Sequence, residues 1–169
     1  MDTTQICKHL GQPLNGWREL TPGNLDVPTK LQGVYVIRAA NGETIGRFVS
    51  KSEVVYIGCG NVRSRLIQHS RSRVDLQDKG WQLTLMARNR PMEVGFFPSD
   101  HPKEDETQLL GEYFIDHLEL PPANRRLQLS KEQKAHLILS GLLPDRPLNS
   151  LKQISLKQVP CSTRDGCAE

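Results

Sequence analysis

Four groups of residues in this sequence carry side chains that can move protons or hold phosphate: Gly33-Val34-Tyr35, then Tyr56-Ile57-Gly58, then Arg65 with His69, then Glu112 with Asn124. A tyrosine hydroxyl is a poor base in water, with a pKa of about 10, and becomes a useful one where a cation or metal stabilises its anion. Arginine supplies such a cation and offers phosphate a planar fork that lysine cannot copy. A histidine four residues further along a helix stands one turn away on the same face, in reach of the same proton. A glutamate can hold one hard divalent cation that keeps most of its waters. Each residue also has a plainer reading: a strand tyrosine usually packs in a core, and a helical arginine or glutamate usually faces water. Each group alone is a weak signal; what stands out is that proton-moving, cationic and carboxylate side chains occur together in this order.

The elements that must position these groups can be read from the pattern. Residues 33–38 and 54–58 are short and rich in β-branched and aromatic side chains, which predicts two strands. Asn41-Gly42 is a turn dipeptide between them, so the pair reads as a hairpin with an enlarged connection. Within that connection, 44–49 is an extra strand or the far side of an insertion. Asn61 is a good N-cap for a helix whose Val62, Leu66 and Ile67 make an apolar stripe. Residues 74–90 fit either a short helix or a strand, and 92–97 predict a third strand ended by Pro98. After a polar, acidic loop at 99–106, the spacing of Leu109, Leu110, Tyr113, Phe114 and Leu118 predicts a helix over 106–118. Glu112 falls inside it and Pro121-Pro122 stops it. Ser130-Lys131-Glu132-Gln133 matches a capping box for a last helix. The expected fold class is therefore α/β (α+β), with a small central three-stranded antiparallel sheet flanked by helices. Residues 1–30 are expected to form an irregular N-terminal arm, 31–127 the functional domain, and 128–169 a C-terminal helix and irregular tail.

In this order, on a strand–strand–helix–strand–helix background, the motifs resemble the GIY-YIG nuclease family. The first motif reads Gly33-Val34-Tyr35 and the second Tyr56-Ile57-Gly58; the family's arginine falls on Arg65, its metal-binding glutamate on Glu112, and its asparagine on Asn124, twelve positions further on. The resemblance implies the GIY-YIG fold and a metal-dependent endonuclease acting on DNA, with a tyrosine general base and a single Mg²⁺ or Mn²⁺. It makes Tyr35 the base and has Tyr56 hold the nucleophilic water or assist Tyr35. His69 takes a proton from the tyrosine or contacts phosphate, and Arg65 neutralises the scissile phosphate. Glu112 is the metal's only protein carboxylate, Asn124 orients the surrounding shell or backbone, and Gly33 and Gly58 are structural. Twenty residues separate Tyr35 from Tyr56, and Cys59 stands where the repair branch often carries lysine. With the Arg65–His69 pair, this places the pattern nearest the restriction-endonuclease-like branch. The alternatives are a structure-selective or non-specific repair or recombination nuclease, and a nucleic-acid-binding module that has lost catalysis.

Charge distribution agrees with a polyanionic partner. The net charge is only +3, but residues 62–90 carry seven basic side chains against two acids, while 93–119 carry eight acids against one lysine. Lys51, Arg63, Arg71 and Arg73 are the expected phosphate contacts to DNA, double-stranded on this reading. A homodimer would supply one site per strand. Four cysteines without a CxxC pair argue against a structural zinc and for free thiols in a reducing compartment. With no apolar run of membrane length and no signal-peptide pattern at the N-terminus, the expected location is the cytoplasm, at the nucleoid in a prokaryote.

Overall fold

Apolar side chains fill every position of Val34-Tyr35-Val36-Ile37, and such a run needs cover on both faces of a sheet. The computed structural model provides that cover. It describes residues 3–11, 13–21, 23, 26–46, 51–70, 83, 86, 89–127 and 129–143. In chain order the elements are helix α1 (Thr3–Leu10), strands β1 (Asn15–Glu19), β2 (Gln32–Ala39), β3 (Ile45–Gly46), β4 (Lys51–Ser52) and β5 (Val54–Asn61), helix α2 (Val62–His69), strand β6 (Met92–Pro98), and helices α3 (Pro102–His117) and α4 (Lys131–Leu139). No helix among the described residues is long and apolar enough to cross a membrane.

The main sheet is antiparallel with order β1-β6-β2-β5, which puts β2 in the middle and leaves β5 as an edge. Alternation along β2 sorts the core into two layers. Tyr35 and Ile37 join Val94, Phe96, Val62, Leu66 and Leu83 on the α2 side. Val34 and Val36 join Ile57, Phe97, Leu109, Leu110, Tyr113 and Ile6 on the side of α3 and α1. Leu66 and Leu109 are fully buried, one in each layer, and such a side chain contributes about 2 kcal/mol.

The sheet has four strands, not the expected three, and residues 1–30 are not wholly an irregular arm. The fourth strand, β1, reads Asn-Gly-Trp-Arg-Glu and has no apolar alternation. Cross-strand contacts support it instead. Trp17 packs over Gly95 of β6, and the Arg38 guanidinium lies 3.9 Å from the Trp17 ring centre while donating to Glu93 at 2.9 Å. Helix α1 adds the fully buried Ile6.

Other expectations hold with adjusted bounds. Within the hairpin insertion, Ile45–Gly46 pairs with Lys51–Ser52 as a small second sheet. Asn61 caps α2, its Oδ1 accepting from the Ser64 N–H at 2.9 Å. Ser130 and Gln133 form the capping box of α4. Helix α3 starts four residues earlier than expected, because Pro102 at the first position and Glu104 and Asp105 in the first turn are favourable starters. Glu106 therefore lies inside the helix.

Candidate active site

Register puts the first motif against the second. Tyr35 on β2 is opposite Gly58 on β5, and Ile37 is opposite Tyr56. A Cβ on Gly58 would lie 2.5 Å from the Tyr35 hydroxyl oxygen and 2.5 Å from a ring carbon of Tyr56. The glycine is thus the floor on which both phenols rest. Gly33 is equally constrained, since a Cβ there would drive into the backbone carbonyl of Phe97 on β6. Both positions act structurally by leaving space.

Helix α2 brings the third group in. Its last turn carries His69, buried, whose Nε2 is 3.0 Å from the Tyr35 hydroxyl in a buried hydrogen bond. The rings of Tyr35, Tyr56 and His69 form a cluster, with centroids 6.0 Å apart for the two tyrosines, 5.8 Å for Tyr35–His69 and 5.1 Å for Tyr56–His69. One turn earlier, Arg65 stands against both phenols and donates to Gln68 Oε1 at 3.1 Å.

Burial pushes both phenols above the ordinary tyrosine value, Tyr35 furthest. The neighbouring Tyr56 adds to the rise at Tyr35, and the charge of Glu106 adds to it at Tyr56. Arg65 pulls both down, but burial wins. Burial also works against the charge on Arg65, and the two phenols more than offset it. At neutral pH the cluster therefore holds two protonated phenols beside a fixed cation. Tyr35 is fully buried, so Tyr56 is the phenol that meets solvent.

Tyr56 opens onto a cleft of about 360 Å³ between α2, the start of α3 and the loop that follows α3. Arg65, Asn124, Glu106, Arg125 and Arg126 share its walls. The carboxylate in this cleft is Glu106, not Glu112. Glu112 lines a separate groove between α3 and α4, with Gln108, Ser130 and Gln133. The reason is helical phase. Glu106 is spaced at i+3, i+4 and i+7 from Leu109, Leu110 and Tyr113, on the stripe that packs against the sheet, whereas Glu112 is rotated about 120° away from it. The stripe is legible in the sequence; it is the family resemblance, not helical phase, that places the metal role on Glu112. Arg125 and Arg126 are two further charged cleft residues that the motif pattern does not include.

Asn124 has a definite structural task. Its Oδ1 accepts from the Ile57 N–H at 3.0 Å and its Nδ2 donates to the Ile57 carbonyl at 2.8 Å. The adjacent Ala123 N–H donates to the Val55 carbonyl at 3.0 Å. The loop thus pairs with the free edge of β5 as an added strand would. Cys59, at the end of the second motif, donates from Sγ to Glu106 Oε2 at 3.0 Å. Burial, together with the bond to Glu106 and its charge, pushes this thiol up to about 12.

Of the expected DNA contacts, Arg63 lies on α2 and Lys51 on β4, and neither lines the cleft. Arg71 and Arg73 lie outside the described residues.

Among the described residues no three or more His, Cys, Asp or Glu side chains come together as a metal-binding group. Glu106 is a single hard oxygen donor beside an open cleft. That donor set suits Mg²⁺ or Mn²⁺ held by one carboxylate, with waters and substrate phosphate oxygens completing the shell. No protein-family model matches the chain, and no curated protein or solved structure matches it either.

Proposed function

We propose that this chain is a GIY-YIG-type endonuclease that hydrolyses phosphodiester bonds in double-stranded DNA, with Glu106 as the carboxylate for one Mg²⁺ or Mn²⁺. The observation that carries the reading is the convergence of Tyr35, Tyr56, His69 and Arg65 around Gly58, with Glu106 in the same cleft. A buried phenol needs a hydrogen-bond partner in any core, but a set of core tyrosines does not need an arginine against both phenols or a carboxylate in the same open cleft. A bound cation supplies Lewis-acid stabilisation of charge at the leaving oxygen.

The chain's own residues do the rest. Arg65 neutralises the scissile phosphate through its fork. Tyr56, the solvent-facing phenol, orients the attacking water and takes its proton as its own moves inward. The two phenol rings are neighbours, with centroids 6.0 Å apart, and the Tyr35 hydroxyl is bonded to His69. With the ring proton on Nδ1, His69 Nε2 is the final acceptor of this relay. The relay explains how phenols held above their ordinary value can serve a reaction at neutral pH: no free phenolate has to accumulate. It also divides the tyrosines differently from the first expectation, with Tyr56 on the substrate side and Tyr35 behind it.

Incubation of supercoiled plasmid with the protein and Mg²⁺ or Mn²⁺, beside an EDTA control and the Arg65→Ala protein, tests the reading. Nicked or linear product that disappears in both controls supports it. Retention of DNA without cleavage in any metal would favour the binding-module alternative, and cleavage that survives EDTA would remove the metal from the scheme.

A further inference from the structure

We infer that Arg125 and Arg126 form a phosphate-binding subsite that grips the nucleic-acid backbone beside the scissile bond. The ligand class rests on the nuclease reading above; the position rests on the loop itself. Both arginines are exposed and both line the cleft that holds Tyr56, Arg65 and Glu106. Among the described residues the cleft walls carry the guanidinium groups of Arg65, Arg125 and Arg126 beside the carboxylate of Glu106, a lining that favours an anion. Arg65 alone suffices for the scissile phosphate, and it is already committed to the two phenols. A further pair of cations beside it matches a ligand that brings more than one phosphate, as a polynucleotide does.

The two arginines are also held in place, unlike side chains on a free surface loop. They directly follow Asn124, whose amide makes both hydrogen bonds to Ile57 at 3.0 and 2.8 Å. Ala123 is tied to Val55 at 3.0 Å, and the Asn124 N–H closes a turn onto the Pro121 carbonyl at 2.9 Å. Three hydrogen bonds thus fix Ala123 and Asn124 against β5, the strand that carries Tyr56, and a fourth closes the turn that precedes the pair. A subsite anchored to the catalytic strand keeps its distance from the reacting centre and loses little freedom when the ligand binds. Each arginine fork can make two parallel bonds to one phosphate.

The test uses the full chain and a labelled DNA duplex, with Ca²⁺ replacing Mg²⁺ for binding and Mg²⁺ restored for turnover. Affinity is measured by fluorescence anisotropy across a salt series for the wild type, Arg126→Gln, the Arg125→Gln/Arg126→Gln double variant, and Lys134→Gln as a charge loss on exposed α4. The slope of log affinity against log salt should fall in magnitude by roughly 1 for each arginine removed. It should not change in Lys134→Gln. In turnover, KM should rise about tenfold or more in the double variant while kcat changes less than about threefold, because phosphate grip is shared by ground and transition states. An unchanged slope and KM in the double variant, with the wild type still cutting, would overturn the subsite and leave the nuclease reading intact. Binding that loses its salt slope in the double variant while the wild type cuts nothing would support the subsite and overturn the nuclease reading. A wild type that neither binds nor cuts would overturn both.

Discussion

The substitutions Glu106→Gln and Glu112→Gln put the candidate site to a direct comparison. The two glutamates are six residues apart on α3, and each change removes one charge while keeping the side chain's shape. Glu106 lines the cleft with Tyr56 and Arg65; Glu112 lines the groove toward α4. A Lewis acid at a leaving oxygen supplies several kcal/mol. If Glu106 is its only protein ligand, loss of about 4 kcal/mol corresponds to roughly a 10³-fold drop in kcat/KM at fixed Mg²⁺. Glu112→Gln touches nothing in the cleft and should stay within about 0.5 kcal/mol, or roughly twofold. Plasmid nicking followed over a Mg²⁺ titration reads both. The Glu106→Gln deficit should shrink as Mg²⁺ is raised, since the lesion is in metal affinity. A second readout needs no activity: burial is the main cause of the raised Cys59 thiol, and Glu106 adds to it through its bond and its charge, so alkylation should quicken in part in Glu106→Gln and stay slow in Glu112→Gln. A thousandfold loss in Glu112→Gln with near-normal Glu106→Gln would refute the assignment from helical phase and restore the fixed spacing to Asn124 as the better guide.

Three further outcomes follow from the same geometry. In the wild type, a thiol near 12 instead of about 9 leaves on the order of 10³ less thiolate at pH 8, so peptide mapping after iodoacetamide treatment should find Cys59 protected while the native fold persists. Tyr35→Phe removes a buried hydrogen bond to His69, which should cost about 1–3 kcal/mol in denaturant unfolding at pH 7. The same variant should change the alkaline limb. Burial raises the folded-state value of Tyr35, so above pH about 10 the unfolded chain has lost this proton and the folded chain keeps it; stability then falls by about 1.4 kcal/mol per pH unit from this group, and Phe at 35 removes that slope. Gly58→Ala should reduce cleavage far more than a conservative change elsewhere on β5, because its Cβ displaces both phenols at once; near-normal activity in a folded Gly58→Ala protein would show that the two rings need not rest on that floor.

Most of the fold's frame was legible because its signals are local. The β-branched and aromatic runs of β2, β5 and β6, the Asn61 cap and the Ser130–Gln133 box each declare themselves within a few residues. The same holds for Tyr35, Tyr56, Arg65 and His69, which sit on short elements joined by tight register. Strand β1 was not legible, because its support comes from residues far along the chain: Gly95 leaves room for Trp17, and Arg38 covers the ring from β2. Pairing of that kind has no periodic trace in a five-residue strand.

Which glutamate lines the cleft was not legible from the motif pattern, for a different reason: the fold puts Glu106 there and Glu112 in the groove toward α4. A spacing of twelve between a glutamate and an asparagine holds only if the helix and the turn between them keep one length. Here α3 runs from Pro102 to His117, ends on Leu118 in a left-handed conformation, and is followed by Pro121-Pro122 before Asn124 reaches β5. Two separate constraints fix the two residues. Packing of Leu109, Leu110 and Tyr113 against the sheet sets which helical positions face β5, and the hydrogen bonds to Ile57 set where Asn124 must stand. An insertion between them can be taken up by the helix end and the turn without moving either one. Phase on the helix survives such an insertion, because each position's face follows from its distance to the core leucines alone. A count that crosses the turn does not, and that is why Glu106 shares the cleft with Tyr56 while Glu112 faces α4.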